Sequence, residues 1–338
     1  MKDDHRYLWD GSGPPDPEVA RLEALLAPLR YRDRPPLGAV RRRRPATALR
    51  RVWLAAAMAA GILLAAGLTA WTLLAPRSGW WVQALAGTPR IEGREIGGNG
   101  RIRIGQWLVT DGAALARLSI GRIGAVVVAQ NSQVQLVASS GREHRIALER
   151  GSIQARIFAP PRYFFVNTPS AVAVDLGCAY TLTVDEQGRG LLRVTDGWVA
   201  LEHAGTQSLI PQGAMCLTFP NAPPGTPRYD DAPSGYATAL ATLDFGGVDN
   251  PLRAEAFNLV LSSARRRDAL TLWHMLSRGT PAERARVYDR LAALAPPPTE
   301  TTRDAVLSGD RRAINSWWDS LGVETGSWWK LWKTKARP

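Results

Sequence analysis

Three hydrophobic patterns divide the chain. Residues 52–75 read VWLAAAMAAGILLAAGLTAWTLLA, twenty-four positions without a charge. From about Gly79 to Pro220 apolar and polar residues alternate. After Asp249 apolar residues recur at helical spacing. Each pattern predicts a different element type.

The uncharged run predicts a single transmembrane helix. At about 1.5 Å per residue it would reach roughly 36 Å, enough to cross a hydrocarbon core of about 30 Å. Trp53 and Trp71 lie near its ends, and Trp80 and Trp81 just beyond, where indole rings favour the headgroup layer. A buried core helix and a cleaved signal peptide are the alternatives. Core helices rarely run so far without a charge, and some fifty residues precede this one, so an uncleaved signal anchor is expected.

Arginines set the orientation. Arg32, Arg34, Arg41 to Arg44, Arg50 and Arg51 precede the run, whereas Arg77, Arg90 and Arg94 follow it. The positive-inside rule puts the N-terminus in the cytoplasm and residues 76–338 outside it, in the periplasm of a bacterium. The lipid bilayer is therefore an expected partner. Arg50-Arg51-Val52-Trp53-Leu54 also loosely resembles a twin-arginine export signal, although topogenic charge explains the same residues.

Residues 1–51 are polar and Pro-rich, with one predicted amphipathic helix. Asp16 can cap it, Pro17 suits its first position, and Glu18 complements the N-terminal dipole. Val19, Leu22, Leu25, Leu26 and Leu29 mark an apolar face. A lone helix of about thirteen residues is marginal in water. It is expected to bind a partner through that face, to lie on the membrane, or to stay a disordered tail. The aromatic cluster Tyr7-Leu8-Trp9-Asp10-Gly11 would adjoin it, and residues 30–51 read as a basic linker.

Between Gly79 and Pro220 the alternation is repeated strand. Ala116, Leu118 and Ile120 alternate with Arg117 and Ser119; Ile153, Ala155 and Ile157 alternate with Gln154 and Arg156. Turn signals recur about every ten residues, among them Asp111-Gly112, Gly121, Ser140-Gly141, Gly151, Gly188 and Asp196-Gly197. The expected fold class is mainly β, an antiparallel domain of solenoid-like or sandwich-like form. Residues 221–247 read as a Pro/Gly-rich connector. Residues 248–325 predict a small α-helical domain of four helices, the third opened by Thr280, Pro281 and Glu283 as a capping box. In the tail, residues 326–338, Trp328, Trp329 and Trp332 alternate with Lys330 and Lys333. They either extend the helical core begun by Trp317 and Trp318 or dock on the membrane.

Charge changes this picture little. The formal net charge is +12, from 42 Lys and Arg against 30 Asp and Glu. An anionic neighbour is implied, membrane or cell wall before nucleic acid, because the arginines are scattered along strands except beside the apolar run. No nucleic-acid partner is expected. The two cysteines, Cys178 and Cys216, both fall outside the cytoplasm. An oxidising compartment would permit a disulfide there, and two buried thiols are the equal alternative.

Candidate chemistry is sparse. His5, His144, His203 and His274 show no metal-ligand spacing, and no nucleophile elbow, P-loop or HExxH motif occurs. Gly98-Asn99-Gly100 opens a strand rather than a nucleotide-binding helix. Asp175 and Asp185 suit solvated or turn-capping positions better than a catalytic pair. No cofactor, metal or enzymatic activity is expected.

The middle segment resembles the FecR domain. The resemblance rests on Trp107-Leu108-Val109-Thr110-Asp111-Gly112, Ala116-Arg117-Leu118-Ser119-Ile120-Gly121 and Asn131-Ser132-Gln133-Val134-Gln135-Leu136. It continues in order through Leu148-Glu149-Arg150-Gly151-Ser152-Ile153, Phe165-Val166-Asn167-Thr168-Pro169, Val174-Asp175-Leu176-Gly177-Cys178-Ala179-Tyr180 and Val194-Thr195-Asp196-Gly197-Trp198-Val199. It covers about residues 100–215. It implies a solenoid-like β form and a single-pass inner-membrane regulator. In such regulators a cytoplasmic segment binds an extracytoplasmic-function sigma factor, and a periplasmic domain receives a signal from an outer-membrane TonB-dependent receptor. Here the cytoplasmic segment is shorter than the helical anti-sigma domain of such regulators, and a helical region stands where the receptor-facing module is expected. The alternative function is an envelope-anchored binding or scaffold protein without sigma-factor contact.

Overall fold

The computed structural model describes residues 16–29 and 79–322. The expected anchor 52–75, with Trp53 and Trp71, and the tail with Trp328, Trp329 and Trp332, lie outside the described residues. Among the described residues no helix is long and apolar enough to cross a membrane.

Helix α1 spans Pro17–Leu26 and continues as one 3-10 turn, Ala27–Leu29. Asp16 caps it: Oδ1 accepts from the Glu18 amide at 2.8 Å. It belongs to a different compact unit from the strands and the later helices.

The alternating region folds as mainly antiparallel β. Its strands are β1 (Gly79–Ala86), β2 (Arg90–Ile91), β3 (Arg94–Glu95), β4 (Asn99–Arg103), β5 (Trp107–Val109) and β6 (Leu115–Ile120). Next come β7 (Gly124–Val128), β8 (Gln133–Ser139), β9 (His144–Ile157), β10 (Phe164–Asn167), β11 (Val172–Asp175) and β12 (Ala179–Val184). The last are β13 (Gly190–Asp196), β14 (Trp198–His203), β15 (Thr206–Pro211), β16 (Ala214–Thr218) and β17 (Arg228–Tyr229). A first layer runs β4-β1-β6-β7-β9-β12-β13-β16-β17. A second runs β3-β2-β5-β8-β9-β10-β11-β14-β15. Among these pairs only β9–β10 is parallel. Strand β9 belongs to both layers, so they form one curled sheet folded over a shared core.

Alternation explains that core. Ala116, Leu118 and Ile120 are buried while Arg117 is exposed, and the facing layer supplies Val134, Leu136, Ile146 and Leu148. Burying each large aliphatic side chain contributes about 1.5–3 kcal/mol. The turn expected at Gly151 is instead a bend inside β9. Arg150 still pairs with Gln133 of β8, and Gly151 already pairs with Val184 of β12. Its φ of +93° redirects the strand without ending it.

The segment read as a connector, 221–247, contains helix α2, Tyr236–Phe245. Then follow α3 (Arg253–Ser263), α4 (Ala269–Met275), α5 (Pro281–Leu294), α6 (Arg303–Leu307) and α7 (Arg311–Ser320). The Thr280/Glu283 capping box forms as expected. The last predicted helix divides at Gly309, whose φ is +82°. Tyr236, Phe257, Leu272, Leu276, Leu291 and Trp317 fill the helical core. Trp318 and Leu270 belong instead to the β core, where Trp318 meets Trp198 edge-on at 5.8 Å. The strands and these helices are one compact unit.

Candidate binding surfaces

The helix α1 presents the predicted apolar stripe to solvent. Val19 is partly covered, while Leu22, Leu25, Leu26 and Leu29 are 57–78% exposed. None of its residues is buried. Spacing of three and four residues brings these side chains onto one face, as the sequence implied. A stripe of leucines on a capped helix fits an apolar groove or a second helix face.

A second surface is a cleft of about 800 Å³ on the outer side of the second layer. Strands β9, β10, β11, β14 and β15 and their turns supply its walls. Arg162 makes a two-pronged contact with Glu202, at 2.7 and 3.2 Å, and Gln207 Nε2 donates to the same carboxylate at 2.9 Å. Arg145 lies over the Phe165 ring at 4.3 Å and donates to Asn167 Oδ1 and Glu143 Oε1, each at 2.6 Å. With its guanidinium groups paired to carboxylates, this cleft would hold a ligand by hydrogen bonds and stacking more than by net charge. Its residues come from five strands and the turns between them, so no local motif announces them.

Trp80, expected at the membrane interface, is a core residue. It occupies an inward position of β1, alternating with Val82, and is 4% exposed. Its Nε1 donates to Ser139 Oγ at 2.9 Å, and its ring packs against His144 and Phe164. Ser139 Oγ also lies 3.3 Å from His144 Nδ1. Burial holds the His144 pKa below its usual value. We read this trio as a packing link between β1 and the β8–β9 hairpin, because the hydroxyl is already engaged by the indole and none of these residues lines the cleft.

Of the two alternatives for the cysteines, the structure has the buried thiols: Cys178 and Cys216 are free and buried. Each sulfur is engaged elsewhere, Cys178 Sγ donating to Asp175 Oδ2 at 2.9 Å and Cys216 Sγ to the Gly225 carbonyl at 3.0 Å. Burial pushes the Cys216 thiol up to about 12 and raises Cys178 well above its usual value. Asp175 caps the turn after β11 by accepting from the Gly177 amide at 2.6 Å, but it is buried rather than solvated. That burial raises its carboxyl to about 7. Asp185 is a turn cap, accepting from the Gln187 and Arg189 amides. Among the described residues no group of three or more His, Cys, Asp or Glu is placed to hold a metal ion.

No protein-family model matches this chain, and no curated protein matches it. Two crystal structures of a "putative anti-sigma factor from Parabacteroides distasonis ATCC 8503" are similar to it in part. Each has 12% identity and a TM-score of 0.33 over 39% of this chain. The chain spans 63% of the length of one and 62% of the other. A likeness of this size leaves function to be argued from the residues themselves.

Proposed function

We propose that this chain is a single-pass membrane regulator of the anti-sigma type. Helix α1, on the cytoplasmic side, docks its leucine face on an extracytoplasmic-function sigma factor. The β domain and the helices packed on it receive the signal on the other side of the inner membrane.

The observation that carries this reading is the exposed stripe Leu22, Leu25, Leu26 and Leu29 on a helix whose start is fixed by Asp16 and Pro17. Such a face is costly to leave in water and is satisfied by a partner groove. The uncharged run 52–75, the arginine asymmetry around it and the FecR-like order of motifs supply the rest. Co-purification of the full chain with its sigma factor, and its loss on Leu22→Asp, tests the reading.

The cleft beside Arg162 and Glu202 favours a second reading, an envelope-anchored binding or scaffold protein whose β and helical domains do the work. The two readings part on the cytoplasmic side. Residues 1–51 retain a cytoplasmic protein in the first and nothing in the second.

A further inference from the structure

The first layer is polarised along its strands. At one end lie the start of β1, the end of β4, the β6–β7 turn and the end of β9. The register shows this directly: Gly79 pairs with Arg103, Trp81 with both Arg101 and Ser119, Ile120 with Gly124, and Ala125 with Arg156. The Phe158 amide donates to the Ile123 carbonyl at 2.6 Å, placing Phe158 beside the same turn.

This end combines two kinds of side chain. Trp81, Ile104 and Phe158 are large, apolar and 61%, 47% and 72% exposed. Arg101, Arg103, Arg122 and Arg156 surround them, all exposed and none in an ion pair among the described residues. Arg101 lies over the Trp81 ring at 5.7 Å. No Asp or Glu occurs in β4, β1, β6, β7, residues 151–157 of β9, or β12. The first carboxylate along the row is Asp196, which faces Ala179. The opposite end carries the β12–β13 turn with Asp185 and Glu186.

Where the chain enters selects the occupant. Pro76, Arg77 and Ser78 alone separate the end of the uncharged run from Gly79. Four peptide steps reach at most about 14 Å. Resting on the reading of 52–75 as a membrane anchor, the basic and aromatic end of the layer cannot stand far from the bilayer. Indole and aliphatic groups beside guanidinium groups match the interface of an anionic bilayer, apolar below and phosphate-bearing above.

We infer that this end of the first layer is a membrane seat: Trp81, Ile104 and Phe158 enter the interface of an anionic bilayer while Arg101, Arg103, Arg122 and Arg156 engage its lipid phosphates. The seat fixes the tilt of the β domain, leaving the Arg162–Glu202 cleft as a separate receiving surface.

The test uses the full chain in nanodiscs of phosphatidylglycerol and phosphatidylethanolamine, or of phosphatidylcholine alone. An environment-sensitive fluorophore is attached at Phe158→Cys and, as control, at Gln187→Cys in the distant turn. Brominated lipids report contact. The seat predicts severalfold stronger quenching at 158 than at 187 in the anionic discs, lost when Arg101, Arg103 and Arg156 are changed together to Glu and kept when they are changed to Lys. Equal, weak quenching at the two positions in anionic discs overturns the seat while leaving the anchor intact. Quenching at 158 that ignores both lipid charge and the Glu substitutions overturns the phosphate contacts. Capture of an oligonucleotide by this face with no lipid quenching assigns it to nucleic acid and overturns the proposal. Release of the chain from membranes by alkaline carbonate overturns the anchor reading, and the seat falls with it.

Discussion

Nε2 of His274, in α4, accepts a hydrogen bond from the backbone amide of Leu209, in β15, at 3.1 Å. Nδ1 faces the Leu270 carbonyl at 2.8 Å and must carry the ring proton to bond it. The imidazole is therefore held neutral, tying the helices to the sheet. Burial first, and the charge of Arg278 second, push its pKa down to about 3. The unfolded chain takes up this proton near 6.5, so the contribution of His274 to stability is lost as pH falls from about 6.5 toward 3. Thermal melting of the full chain at stepped pH should show a falling midpoint across that window. His274→Gln, which keeps an acceptor but does not titrate, should flatten it. An unchanged acid slope in that variant would contradict this role.

Asp175 acts with the opposite sign. Its carboxyl, raised to about 7 by burial, keeps a proton that the unfolded chain releases near 3.8. The native state is therefore penalised as pH rises across that window, roughly 4 to 7. Asp175→Asn removes the titration and can still accept from the Gly177 amide. Its melting midpoint should gain on that of the parent as pH rises across the window, and a constant difference would count against the buried, protonated acid.

The bend in β9 depends on one glycine. At Gly151, with φ of +93°, an added Cβ would run into the backbone and side chain of Ser132. Gly151→Ala should destabilise by about 2–4 kcal/mol, combining left-handed strain with overpacking. Gly141→Ala, in an open turn with nothing near its Cβ, should stay within about 0.5 kcal/mol. Chemical denaturation of both variants, followed by tryptophan fluorescence, compares them directly.

The strand region was legible because the inward and outward sides differ so plainly in residue type, as in Leu118 against Arg117. The same alternation held the signal for Trp80, which sits in phase with Val82; proximity to the uncharged run masked it. Helix α2 was hidden because Pro233, Gly235, Gly246 and Gly247 crowd its ends, and breakers that frame a helix look like those that replace one. Gly151 read as a turn because a left-handed glycine marks a redirected chain whether or not the strand stops. The cleft was not legible at all: Arg145, Arg162 and Glu202 become neighbours only through long-range pairing of β9, β10, β11 and β14. The apolar face of α1 was fully legible, since its spacing is local.

The regulatory role proposed for the chain rests on that leucine face meeting a sigma factor. The full chain, tagged at its C-terminus and extracted in mild detergent from the cells that naturally produce it, is isolated with and without Leu22→Asp and Leu25→Asp, and the bound proteins are identified by mass spectrometry. An extracytoplasmic-function sigma factor is expected in the parent sample, and its loss, by tenfold or more for about 1.4 kcal/mol or more of lost contact, in the double variant. No sigma factor in either sample, or the same amount in both, would contradict it.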